Sequence, residues 1–345
     1  MSSKSWVAWL VSAALAGCVP ALQSADFDRG RVRLDMPGAG SAPPVVLTYL
    51  GVGGWLIETA HTRVLTAPLF SNPSLRAAGL GTIEADTAAI SDGLRRFGAP
   101  DVSDVTAILS GHAHYDHLMD VPWLATRLAP RARVLANTTA LHTLAPLAAR
   151  WGLDPSRLVD VSADAANVDG GGRWIALGPD LRVLPLVSNH APHFVGMTLY
   201  DGERSRDLPE PPRAADEWLE GETLAFVFEV LDTQGRPIHR IYYQDAVASE
   251  PFGFIPSRMD TVDVALIVPA TYAEVAWQPE AILENTRARH VILGHWENFF
   301  EPPSADPDPV PFTLLPDFIA RLRRALDGDD RRWSLPVPGT RFEIR

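Results

Sequence analysis

An α/β fold of two sheets packed together, with helices outside, is predicted by three observations. The 345 residues are 46% hydrophobic and 21% charged, a globular composition with length enough for a large buried core. Apolar, β-rich runs bounded by Gly, Pro, Asn and Asp alternate with stretches of helical periodicity. That alternation occurs twice, each half opening strand-rich and then passing to helix and strand in turn. No repeat and no interior linker divides the chain, so one domain over residues 45–345 accounts for it.

Each element has a local reason. Val45–Leu50, Trp55–Thr59 and Arg63–Thr66 read as strands, the first two punctuated by Gly51, Gly53 and Gly54. A helix lies within Asp86–Phe97. Val105–Leu109 is a strand that runs into Ser110-Gly111. Leu118, Val121, Leu124 and Leu128 fall near helical spacing and place a helix over Leu118–Leu128. A short strand, Val134–Ala136, and a helix, Thr139–Trp151, complete the first half. In the second half, strands are expected at Trp174–Leu177, Leu181–Val187, Gly196–Tyr200, Thr223–Leu231 and His239–Tyr243. Helix Ala248–Met259, strand Val262–Val268, helix Pro279–Thr286 and strand His290–Leu293 follow. A last helix, Leu314–Leu326, precedes short strands near Trp333–Leu335 and Arg341–Ile344. Residues 201–222, acidic and proline-containing, read as a surface insertion, and Glu301–Pro311 as an irregular proline-rich loop.

Ahead of the domain, Lys4 and the apolar run Trp6–Ala16 have the make-up of a signal peptide, and the run is too short to span a bilayer comfortably. Leu15-Ala16-Gly17-Cys18 resembles the lipobox of bacterial lipoproteins. That resemblance implies removal of residues 1–17 and a lipid on Cys18. Cys18 is the only cysteine, so no disulfide can use it within the chain. An ordinary secretory signal with an incidental cysteine is the alternative. Residues 18–44, rich in Gly, Pro and Ala, read as a lipid-anchored tether. The expected location is the bacterial cell envelope, on the periplasmic or outer-membrane side, held by more than one acyl chain.

The run His112-Ala113-His114-Tyr115-Asp116-His117 sets four potential metal ligands within six residues, directly after a strand. Alternate residues of an extended segment point the same way, so His112 and His114 can grip one ion. Asp116 and His117, at the start of the next helix, can grip a second. Imidazole and carboxylate suit zinc, and also manganese or iron. Further ligands stand where other strands end: His190 after Leu181–Val187, Asp245 after His239–Tyr243, and His295 after His290–Leu293. Asn189-His190-Ala191-Pro192-His193 offers two imidazoles, and either can be the ligand while the other meets substrate. Asp245 can equally be a turn residue. Tyr115, Phe194, Trp296, Phe299 and Phe300 flank the ligands and can wall a pocket or pack in the core. Of these, Tyr115 and Trp296 join His193 as candidate substrate contacts. His61, His142, His239 and His290 read as solvent-facing or hydrogen-bonded structural residues.

The His112-x-His114-x-Asp116-His117 run, with His190, Asp245 and His295 in that order, resembles the metallo-β-lactamase-fold superfamily over roughly residues 45–300. The resemblance implies a four-layer αββα sandwich. It also implies that His112, His114 and His190 bind one metal, that Asp116, His117 and His295 bind another, and that Asp245 bridges the two. Tyr49-Leu50-Gly51-x-Gly53-Gly54-Trp55-Leu56-Ile57-Glu58, Leu65-Thr66-Ala67-Pro68-Leu69-Phe70-Ser71 and His295-Trp296-x-x-Phe299 resemble one branch. That branch contains ascorbate-6-phosphate lactonases and N-acylphosphatidylethanolamine-hydrolysing phospholipase D. It usually carries an aspartate where this chain has Ala67, so support behind the ligands differs here.

Two metals can share a hydroxide formed near neutral pH, which attacks a carbonyl or a phosphorus atom, with Asp116 orienting it and shuttling its proton. The expectation is therefore a metal-dependent, di-zinc hydrolase of an ester-type bond. A phosphodiester, as in a lipid head group, is favoured, with a lactone or thioester as the alternative. No cysteine is left to ligate metal, and Asp245 argues against β-lactamase activity. A mononuclear iron dioxygenase would need only His112, His190 and Asp245, and a non-catalytic metal-binding envelope protein is a further reading. The formal net charge of −12 argues against nucleic acid as a partner. The expected partners are a small-molecule or lipid substrate and, through Cys18, a membrane.

Overall fold

Two mixed sheets face each other in the computed structural model, which describes Leu22 and residues 26–37, 43–193, 195–304 and 306–345. Cys18, the signal peptide and Phe194 lie outside the described residues. The strands are β1 (Arg31–Leu34), β2 (Val45–Gly51), β3 (Gly54–Glu58), β4 (Arg63–Thr66), β5 (Ala107–Leu109), β6 (Arg133–Ala136), β7 (Leu158–Asp160) and β8 (Ile175–Ala176). They continue with β9 (Leu181–Val187), β10 (Leu224–Leu231), β11 (Pro237–Tyr243), β12 (Val264–Ile267), β13 (His290–Leu293), β14 (Trp333–Ser334) and β15 (Arg341–Ile344). The first sheet runs β1-β15-β2-β3-β4-β5-β6-β7 and the second β14-β13-β12-β11-β10-β9-β8.

The residue period of two explains the layers. In β10, Phe226, Phe228 and Val230 enter the core between the sheets, while Ala225 and Val227 enter the core on the sheet's outer side. In β2, Val45, Leu47 and Tyr49 point into the same inter-sheet core, against Trp55 and Phe342. Helices cover the outer faces. On the first sheet, α1 (Leu75–Leu80) buries Ala78, α2 (Thr87–Arg96) buries Ile90 and Leu94, and α5 (Thr138–Trp151) buries Leu144 and Leu147. On the second, α6 (Glu280–Thr286) and α7 (Leu315–Ala325) bury Ile282, Phe318 and Leu322. The four-layer αββα arrangement is thus the one expected. Asp86 caps α2 by accepting from the Ala88 and Ala89 amides, and Asn137 caps α5 from Ala140. Among the described residues no helix is long and apolar enough to cross a membrane.

Five expectations are corrected. Residues 31–34, assigned to the tether, form β1, which pairs in parallel with β15 and belongs to the domain. Gly196–Tyr200 is a set of turns, with the His193 amide bonded to the Met197 carbonyl. Ala248–Met259 contains no helix, because Pro251 and Pro256 lack amide donors and Gly253 takes a left-handed φ of 72°. The helix at Leu118–Leu128 begins earlier and is broken into α3 (Tyr115–Leu118), α4 (Val121–Trp123) and a wider π turn at Leu124–Leu128. The 201–222 insertion lies at the surface over most of its length but is anchored at its end rather than peripheral throughout. Trp218 is buried, and the Glu220 carbonyl accepts from the Ala113 amide inside the histidine run.

Candidate metal centre

β4, β5, β6 and β7 run parallel, as do β9, β11, β12 and β13. Their C-terminal ends meet at one end of the sandwich, and there the histidine run lies. Gly111 makes the approach possible. A Cβ on it would sit 2.3 Å from Asp245 Oδ1 and 2.5 Å from the Leu224 carbonyl, so only glycine brings β5 this close to the second sheet. Its amide donates to Asp245 Oδ2 at 2.7 Å. Gly53, in the β2–β3 turn, does the same from the other side, since a Cβ there would meet His117 Nδ1 at 2.8 Å. The Ser110 hydroxyl donates to the His112 carbonyl and holds the turn.

Two groups of potential ligands result: His112, His114 and His190 form one, and Asp116, His117 and His295 the other. Within each group the ligand atoms lie within 4.8 Å of one another. The six residues are buried, except for the partly buried His190. Asp245 is part of neither group but touches both. Its Oδ1 is 3.0 Å from His112 Nδ1 and its Oδ2 is 3.8 Å from His117 Nδ1.

The structure groups His190 with His112 and His114, and leaves the His193 ring 5.5 Å from that of His114 but outside the group. Hydrogen bonds on the two rings agree with that arrangement. His190 Nδ1 is 2.6 Å from the Ala191 carbonyl, which can only accept, so this nitrogen carries the proton and Nε2 keeps a lone pair. His193 Nδ1 instead accepts from the Leu199 amide at 3.1 Å, which leaves the proton of the neutral ring on Nε2. His193 stacks on His190 at 4.6 Å and faces the cavity as a donor.

Charge differs between the groups. Burial pushes His112, His114 and His190 well below the usual histidine range, and repulsion from neighbouring imidazoles adds to it. Burial pushes Asp116 up, but His117 and His295, each 3.3 Å from its Oδ2, outweigh this and hold it well below the carboxylate range. His117 is pushed down by burial and raised, on balance, by Asp116 and Asp245. Burial lowers His193.

The side chains present fit metal ions. His114 Nε2, both nitrogens of His117 and His295 Nδ1 are buried without a hydrogen-bond partner among the described residues. Buried polar atoms of this kind need a partner, and a cation held by imidazole and carboxylate would supply one.

A cavity of about 320 Å³ opens over both groups. Leu75, Val268, Phe299, Phe300 and Val310 wall it, Tyr115 and His193 line it, and no Arg or Lys does so among the described residues. Trp296 is not in it. Trp296 is fully buried, donates to the Pro336 carbonyl and stacks on Phe27. His142 pairs with Asp207 on the surface, and His290 meets Ser334 at the far end of β13. Ala67 is buried beside the end of β5, its amide on the Leu109 carbonyl.

Three residues that the sequence reading did not single out support the site. His295 has φ of 50°, a left-handed conformation that a histidine adopts only when held there. Its amide is 2.9 Å from both the Val52 carbonyl and the Tyr49 hydroxyl. Tyr49 donates to Glu297, and Glu297 accepts from the Val52 amide at 2.6 Å. Tyr49 lay in the opening hairpin motif and Glu297 at an unassigned position of His295-Trp296-x-x-Phe299, so their place was marked but their role was not. Asp120 accepts from the Phe70 and Ser71 amides and the Ser71 hydroxyl, fixing the segment after Ala67.

No family model and no curated protein matches the chain. Solved structures do. CmlA, a diiron β-hydroxylase from Streptomyces venezuelae, matches with a TM-score of 0.50 at 13% identity, over 88% of this chain and 55% of its own. The fold is of metallo-β-lactamase type. Igni18, a metallo hydrolase from Ignicoccus hospitalis, matches at 0.49 and 15% identity over 88% of this chain and 99% of its own. A possible metal-dependent hydrolase from Veillonella parvula matches at 0.48 and 12% over 87% and 99%. This chain spans about half of CmlA, and the match is one of fold alone.

Proposed function

We propose that this protein is a metal-dependent hydrolase of an ester-type bond. One observation carries the reading: two groups of three ligands lie at a single cavity, which all but His112 line, with Asp245 between them. His112, His114 and His190 would hold one divalent cation, Asp116, His117 and His295 the second, and Asp245 would reach both. Zinc suits this donor set, and manganese or iron can replace it. Bound cations would supply Lewis acidity and a water that is acidic near neutral pH. Asp116, kept ionised, orients the attacking water and takes its proton. His193 donates from Nε2 to an oxygen of the substrate, and Tyr115 closes the wall beside it.

The bond favoured is a phosphodiester. A diester carries one negative charge where a terminal phosphate carries two, and among the described residues the cavity offers no Arg or Lys for the second. Its apolar walls suit an apolar arm on the substrate, as in a lipid. Lactones and thioesters of similar shape are the alternative substrates. The fold match to a diiron hydroxylase favours one second reading, oxygen chemistry at iron. Metal analysis of the purified protein separates them. Two zinc ions per chain and chelator-sensitive turnover of a chromogenic phosphodiester are expected. Two iron ions with no hydrolysis of phosphodiester, lactone or thioester would overturn the proposal.

A further inference from the structure

Every exposed large apolar side chain among the described residues follows the C-terminal end of a strand that leads to the metal centre. Leu75 and Leu80 follow β4, and Val187 ends β9, with Val195 and Met197 beyond it. Phe252 follows β11, Trp277 follows β12, and Phe312 with Leu314 follows β13. Leu80 is 92% exposed and Leu314 61%. Leu75 and Phe312 line the cavity itself, while Leu80 and Leu314 adjoin its lining residues Gly79 and Thr313. The opposite end of the sandwich has the contrary character: Arg33, Arg287, Arg289, Arg331 and Arg332 line a cleft there. Scattered exposed apolar residues need no explanation, but a collection confined to one end does.

The path of the chain says what covers this end. β1 is antiparallel to β4, so it starts at the metal end and runs away from it. Phe27 stacks on Trp296 at 5.2 Å, and Leu22 packs against the same core. The domain is therefore entered from the metal end. Cys18 stands eight residues before Asp26, and eight extended residues reach at most roughly 26–29 Å.

We propose that the metal end docks on a lipid bilayer, with the apolar rim around the cavity seated in the acyl region and the arginine cleft turned away. A lipid on Cys18 would tether this end and no other, supplying the second of the two attachments that stable anchoring needs. The chain is acidic and the cavity has no cationic wall, so apolar contact rather than charge holds the face down. The docking does not depend on which bond the centre cuts.

The test uses the full chain carrying Cys18→Ser, with either Leu314→Cys or Arg331→Cys labelled by an environment-sensitive fluorophore. Each is mixed with neutral phosphatidylcholine vesicles bearing an acyl-chain spin label. Attachment through residues 1–17 would hold both proteins at the surface alike, so the comparison reads orientation. The label at 314 should shift to the blue and be quenched several-fold more than the label at 331. Adding Leu80→Glu and Phe312→Glu, both at exposed positions, should remove that difference. Equal quenching, stronger quenching at 331, or none at 314 would overturn the proposal. So would a blue shift at 314 that grows with protein concentration without vesicles, which would assign the face to a second copy of the chain.

Discussion

His112 and His190 are held by hydrogen bonds to their rings, whereas His295 is held by its backbone. In the first group, His112 Nδ1 meets Asp245 and His190 Nδ1 meets the Ala191 carbonyl, so these two rings have their tautomer and tilt set from outside. Like His114 Nε2 in the first group, both nitrogens of His117 and Nδ1 of His295 in the second lack hydrogen-bond partners among the described residues. There Gly53 packs on the His117 ring, and Tyr49, Glu297 and Val52 hold the His295 main chain in its left-handed turn. The first group is three neutral imidazoles, and the second brings its own anion, Asp116. The same donor chemistry can be preorganised by hydrogen bonds to the ligand or by constraint of the segment that carries it.

The largest effects should come from removing one ligand on either side. His114→Ala and Asp116→Ala should each lower hydrolysis by roughly a thousandfold or more, with circular dichroism unchanged and metal content falling from two per chain. Near-normal turnover in either variant would show that one group suffices. Asp245→Ala touches both groups, and a loss of about 10–100-fold in metal affinity is expected for such a partner. Titration with metal should show both binding steps weakened; weakening of only the first would make Asp245 a support for His112 alone.

Glu297→Gln separates the two modes of support. It keeps an acceptor for the Val52 amide but loses a charged one for Tyr49, a difference of about 1 kcal/mol or somewhat more. Only the metal held by Asp116, His117 and His295 should bind several-fold more weakly. Equal weakening at both sites would mean that the backbone clamp serves the whole end of the fold. The smallest effect concerns burial without a metal. Burial, with the Arg332 charge adding, pushes His290 down to about 4. Its folded value lies below the unfolded 6.5, so its contribution is complete above pH 6.5 and lost as the pH falls toward 4, by up to about 3 kcal/mol. His290→Gln should flatten that part of the stability curve in denaturant unfolding. Parallel curves for the two proteins would mean that burial alone does not keep an imidazole of this fold neutral.

The seven proposed ligand positions were legible because each stands directly after a strand whose hydrophobic run is plain in the sequence. Telling His190 from His193 was not, since it depends on the turn at 196–200, where the Leu199 amide reaches back to His193. That segment alternates in hydropathy as a strand would, and the alternation misled. β1 was missed for the opposite reason. Its four residues include two arginines amid Gly and Pro, and its partner lies at the other end of the chain. Trp296 was placed by adjacency to His295, but it follows a left-handed turn and its ring is buried against Phe27. Glu297 sat unread because nothing local signals that a glutamate will be buried against Tyr49.

The strand order of the first sheet has a consequence for how the molecule is made. β15 is inserted between β1 and β2, and Arg31 pairs with Arg341, about 310 residues later. While the chain is still emerging from the ribosome, β2 has no neighbour on that side and β1 has none at all. Residues 341–345 are therefore a clasp that closes only after the intervening residues 35–340 have been made, a non-local step of the slow kind. A product terminated before Arg341 would keep all seven ligand positions yet leave β2 as an open edge, ready to pair with another chain.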